Sequence, residues 1–144
     1  MNRELENILY KDFPKLYAGR KLDIRENLMP FGFMCDDGWF QLIYNLSYFV
    51  SKMDPDCVAS EVKEKYALLS FYVNGTSFYV NGTTEEVFDV IMKHEVMSGR
   101  ICETCGELGK VYCDNGWYRT MCVKCHKEKF GVKPEIKEEK DEEE

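Results

Sequence analysis

The sequence predicts an α+β protein, with N-terminal helices and a β-hairpin-centred antiparallel sheet followed by a small cysteine-rich module. Three observations predict it. Trp39, Leu42, Ile43, Leu46 and Val50 form the apolar stripe of one buried helix face. Asn74-Gly75 stands between two aromatic, β-branched runs, a strong short-range hairpin signal. Cys102-x-x-Cys105 and Cys122-x-x-Cys125 are separated by sixteen residues, the spacing of a four-cysteine metal site.

The elements follow in order. Leu5, Ile8, Leu9 and Phe13 are spaced for one face of a first helix, which Pro14 ends. Residues 19–37 hold Gly19, Pro30, Gly32 and Asp36-Asp37 without sustained periodicity, so they read as a loop with short ordered pieces. Asp36 or Asp37 is placed to cap the helix of the Trp39 stripe, and Pro55 limits its far end. Residues 58–66 add a strand ahead of the hairpin. With a two-residue loop at Asn74-Gly75, Leu69, Phe71, Val73, Thr76, Phe78 and Val80 share one face, and Ser70, Tyr72, Ser77 and Tyr79 the other. Thr83 and Glu86 match a capping box. The helix that follows turns Val87, Ile91, Phe88 and Met92 inward and stops at Ser98-Gly99.

Lys110–Cys113 and Trp117–Met121 can pair across Asp114-Asn115-Gly116, and Cys122 to Phe130 reads as a short helix ended by Gly131. Two thiolates two residues apart can bite one ion from a single turn of backbone, and a second pair completes a tetrahedron. Cys102, Cys105, Cys122 and Cys125 are therefore the expected ligands of one structural Zn2+, with knuckle, hairpin and helix in treble-clef order. Four saturated ligands leave no open position for a substrate. Cys113 is a spare thiol able to replace a ligand, and His126 points elsewhere on its helix. Cys35 and Cys57 read as small apolar residues. Cys122 to His126 also spells the C-x-x-C-H of haem attachment, a reading that leaves Cys102 and Cys105 unused. The chain then divides into an α+β domain at 1–99, a zinc module at 100–131 and a disordered acidic tail at 132–144.

Charge bounds the partners. The formal net charge is −7. Residues 1–99 carry 10 basic and 15 acidic side chains, residues 100–133 carry 7 and 4, and residues 134–144 carry 2 and 7. Four thiolates on a divalent ion would remove most of the middle segment's positive balance, so duplex binding lacks its usual electrostatic drive. No apolar run approaches a membrane span, and the first residues show no signal pattern. The expectation is a cytoplasmic protein, where cysteines serve as metal ligands or free thiols rather than disulfides.

Phe13-Pro14-Lys15-Leu16-Tyr17, the stretch from Phe31 to Phe40 with its Asp37-Gly38-Trp39, Val62 to Tyr66 leading into Phe71-Tyr72, and the cysteine pairs with Gly116-Trp117 carry a resemblance. Over most of residues 13–125 the chain resembles small uncharacterised proteins of tailed bacteriophages that end in a C-x-x-C…C-x-x-C module. It departs from their pattern at Ala67 and Ser70, where Gly and Arg would stand. The resemblance implies origin and architecture, and an action in the host cytoplasm, more than it implies a chemistry.

Three functions compete. The acidic balance, the many tyrosines and the lack of a catalytic set favour a non-catalytic protein that binds a protein partner, such as a host factor or defence component. The alternative is nucleic-acid binding by the zinc module, with Arg100, Lys110, Trp117, Arg119, Lys124 and Lys127 as candidate contacts. An HNH-like nuclease comes last, because its chemistry needs a histidine on the hairpin, and His94 and His126 both lie on expected helices.

Overall fold

The computed structural model describes residues 1–74 and 83–131. Helix α1 (Arg3–Asp12) is capped by Asn2, whose side chain accepts from the Leu5 amide, and it ends at Phe13 ahead of Pro14. Leu9 and Phe13 are buried, but Ile8 of the expected apolar face is exposed. The next segment has two short 3-10 turns, Ala18–Lys21 and Met29–Phe31, and then the two-residue strand β1 (Phe33–Met34). A third 3-10 turn at Asp37–Trp39 leads into helix α2 (Phe40–Met53), whose stripe Trp39, Leu42, Ile43, Leu46 and Val50 is buried as expected.

Neither aspartate caps α2 through its side chain. Asp37 instead accepts from the Asn2 amide and side chain. The Asp36 amide donates to the Glu103 carboxylate across the molecule. For Asp37 a long-range partner has taken the carboxylate that local capping would have used.

Strands β2 (Val58–Lys65) and β3 (Leu68–Asn74) pair antiparallel, with Lys65 opposite Leu68. Their two-residue loop is Tyr66-Ala67, and both residues have positive φ, 52° and 79°. That is the left-handed backbone of a type I′ turn, made without the usual Asn or Gly. The Ala67 carbonyl accepts from the buried Thr120 hydroxyl. Tyr66 is 76% exposed, so its ring offsets little of the left-handed cost. Tyr66→Asn is expected to raise stability by about 1 kcal/mol, read from urea melts. An unaltered midpoint would mean that the turn is unstrained.

The sheet is mixed, not purely antiparallel, because β1 joins the other edge of β2 in parallel, with Phe33 opposite Val62. Leu69 and Phe71 face the core and Tyr72 faces solvent, the expected alternation. The second arm of the hairpin expected around Asn74-Gly75 lies outside the described residues, as does the acidic tail. Helix α3 (Thr83–Ser98) covers the free edge of β3: Ser98 Oγ accepts from the Leu69 amide and Glu95 from the Phe71 amide. A sheet edge with its N–H groups occupied offers less to a passing strand. Val87 and Ile91 are buried in the common core, but Phe88 and Met92, expected inward, are exposed. Of the proposed capping box, the Thr83 side chain lies outside the described residues.

The C-terminal elements are β4 (Lys110–Asp114), β5 (Trp117–Met121) and α4 (Val123–Phe130). Strands β4 and β5 pair antiparallel around Asn115-Gly116, with φ of 54° and 86°. This hairpin forms where the turn residues put it, and Gly131 at φ 80° closes α4.

Candidate metal centre

The cysteine quartet is assembled by three local structures. Residues 100–109 fold back on themselves. Gly109 N–H donates to Arg100 O, Cys102 N–H to Glu107 O, and Gly106 N–H to Cys102 O. Gly106 adopts φ 86° just after Cys105, a conformation open to glycine at little cost. This knuckle brings two sulfurs together from one turn, that of Cys102 buried and that of Cys105 exposed. At the other side, Cys122 is the N-cap of α4, and its sulfur accepts from the Cys125 amide at 3.3 Å. The second pair therefore sits in the first turn of a helix, whose free amides favour negative charge. The β4–β5 hairpin connects the two.

The four Sγ atoms all lie within 4.8 Å of one another, and Cys105 Sγ is 3.7 Å from Cys122 Sγ. Tetrahedral ligation at about 2.3 Å per sulfur puts ligand sulfurs about 3.8 Å apart, so the quartet has the dimensions of a four-thiolate site. The thiols differ in readiness to ionise. Burial works against the Cys102 thiolate, yet backbone amides bring its pKa down to about 7. Burial and the neighbouring thiols hold Cys125 above the ordinary thiol value. Crowded thiolates repel one another, and a bound cation reverses that repulsion. These four residues could hold one metal ion, with every donor used.

The other candidates fall outside this cluster. Cys113 is exposed on β4, and Cys35 and Cys57 are buried in the main core. Burial raises both of their pKa values, that of Cys57 to about 12. Cys113→Ser is expected to leave the metal content unaltered; a halved metal-to-protein ratio by elemental analysis would make Cys113 a ligand. His126 is 1% exposed and packs inside the module. Its ring stacks on Tyr112 at 3.7 Å, and Nε2 lies 2.9 Å from Asp114 Oδ2. It is a core residue of the module, tying α4 to the end of β4. His94 is also largely buried, bonded to the Val90 carbonyl and against Phe49.

The quartet also anchors the rest of the chain. Gly38 N–H donates to Glu103 O at 2.7 Å, and Trp39 Nε1 donates to Ile101 O at 2.9 Å. A Cβ at Gly38 would lie 2.2 Å from the Cys102 carbonyl oxygen. The Asp36–Trp39 segment thus lies flat on the backbone of the first cysteine pair, and Thr120 makes the second tie at Ala67. Sequence reasoning did not find this seam. The signal for it was Gly38, which stands between charged and bulky neighbours in a turn whose backbone does not itself demand glycine.

The six candidate nucleic-acid contacts are dispersed. Arg100, Lys124 and Lys127 are exposed, and Lys110 Nζ sits 5.3 Å from the Tyr112 ring. Only Trp117 and Arg119 line the cleft between the β2–β3 turn and the β4–β5 hairpin, and there they face Asp36, Glu64 and Glu103. Burial pushes the Glu103 carboxyl up to about 7, against the pull of the Asp36 amide.

Among the described residues no helix is long and apolar enough to cross a membrane. Compared with protein-family models, curated proteins and solved structures, the chain matches none.

Proposed function

We propose that the chain is a non-catalytic, zinc-containing protein that acts by binding a protein partner. The observation that carries this reading is the exposure of Trp117, at 69%, beside Tyr66 at 76% and Tyr118 at 47%. Aromatic side chains held in water on a turn and a hairpin have the composition of interface residues. Zinc is the metal of this reading because four thiolates in a tetrahedron suit a soft-tolerant ion with no geometric preference of its own. Its role is structural, since no coordination position is left for water or substrate. The order of knuckle, hairpin and helix is that of a treble clef.

The charge arrangement favours protein over nucleic acid. Trp117, the best base-stacking candidate, shares its cleft with Asp36, Glu64 and Glu103, acids that outnumber Lys65 and Arg119 there and disfavour a phosphate backbone. The resemblance to small tailed-phage proteins makes a host factor or defence component, in the bacterial cytoplasm, the expected partner. The test is affinity purification of the tagged chain from host cells, with and without nuclease, followed by mass spectrometry. A stoichiometric protein that survives nuclease and is lost with Trp117→Ala is expected. Recovery of nucleic acid alone would put the alternative in its place.

A further inference from the structure

The cleft that holds Trp117 has a volume of about 520 Å³. It is lined by residues from three separate places in the chain. The β2–β3 turn contributes Glu64, Lys65 and Tyr66. The Asp36–Glu103 seam contributes both of its acids, and the tip of the β4–β5 hairpin contributes Gly116 to Arg119. The three carboxylates converge although Asp36 and Glu103 are 67 residues apart. The Glu103 carboxylate is held in place by the Asp36 amide. Of the two cations at the rim, the Arg119 guanidinium is turned to the Phe130 ring, 4.9 Å from its centroid. Its Nε is buried with no hydrogen-bond partner among the described residues.

We infer that this cleft receives a lysine or arginine side chain from an extended basic segment of a partner protein. Carboxylates surrounding a concave site attract a cation. Exposed Trp and Tyr faces add cation–π attraction that a neutral or acidic side chain lacks. A guanidinium or ammonium on an alkyl stem satisfies both walls at once: the stem lies along the rings and the head reaches the acids. The chain's net charge of −7 steers a basic partner toward it from a distance. A nucleic acid would meet the reverse: stacking surface, but carboxylates where its phosphates must run.

This inference rests on the protein-binding reading, and the experiment separates the two. The full chain, loaded with zinc, is titrated with an acetylated oligoarginine amide, the same peptide with citrulline in place of arginine, and an oligo-dT strand, with tryptophan emission as the readout. Trp39 is fully buried, so a change in emission reports Trp117. Binding of the arginine peptide is expected, with the citrulline peptide at least about tenfold weaker. Glu64→Gln and Trp117→Ala are each expected to weaken the arginine peptide by about tenfold, the latter read by calorimetry. A Glu85→Gln chain, which loses the same single charge on α3 away from the cleft, is expected to bind like the parent. Equal weakening in that control, or equal binding of arginine and citrulline, would overturn the cleft as the site. If the peptide fails to bind while a partner is still captured through Trp117, this inference falls and the protein-binding reading stands. Oligo-dT binding lost with Trp117→Ala would remove both.

Discussion

Cys102→Ser is expected to abolish tight metal binding and to lower the melting temperature by more than about 10 °C. Structural zinc supplies roughly 10–16 kcal/mol in small peptides, and a module of this size has little else. Its own core is Cys102, Tyr112 and Met121, with Phe130 and two further cysteines packed against them. The effect should reach beyond residues 100–131. Trp39 is fully buried and its indole N–H is bonded to Ile101, next to the ligand. Loss of the knuckle should expose that ring, and in a Trp117→Phe background the emission should move to the red. An unaltered melting temperature and unaltered emission would show that the knuckle holds its shape without metal.

Gly38→Ala is the second large effect expected. The added methyl carbon would meet two backbone carbonyl oxygens, at 2.2 Å from Cys102 and 2.4 Å from Glu103. Neither oxygen can turn aside like the end of a flexible side chain, so the seam itself must open. That breaks the Gly38–Glu103 hydrogen bond and moves Trp39 off Ile101. Overpacking of this kind is expected to cost roughly 3 kcal/mol, read from denaturant melts. Metal content should stay at the parent level, since all four ligands remain. Thus Cys102→Ser and Gly38→Ala should both loosen the seam, but only the first should lose the ion. A Gly38→Ala chain as stable as the parent would mean that the first cysteine pair does not rest on this segment.

The parts of the fold legible in the sequence are those with a local signal. The stripe from Trp39 to Val50 repeats at helical spacing, and all five residues are buried. The β4–β5 hairpin turns at Asn115-Gly116, where the chain has its own turn residues. The cysteine quartet was legible because ligand spacing is a covalent constraint, carried by the chain whatever surrounds it.

What was missed depends on contacts between distant segments. Strand β1 is two residues long and pairs with β2 across all of α2, so no alternation announces it. The Tyr66-Ala67 turn has neither Asn nor Gly, and it is tied by Thr120 from another element. Ala67, at φ 79°, holds a backbone conformation that glycine suits better. Asp37 looked like a cap because the sequence could not show that Asn2 would claim its carboxylate, and the Asp36 amide is tied instead to Glu103. Phe88 and Met92 followed an apolar pattern on α3 but lie on its outer side.

The central claim is that four thiolates from two distant pairs hold one metal ion, which in turn holds the knuckle against Gly38 and Trp39. Native mass spectrometry of the chain purified without added metal tests it most directly. One zinc ion per chain is expected, with the loss of compact charge states when a strong chelator removes it. A chain that flies metal-free and compact, and gains no ion when zinc is supplied, would contradict it.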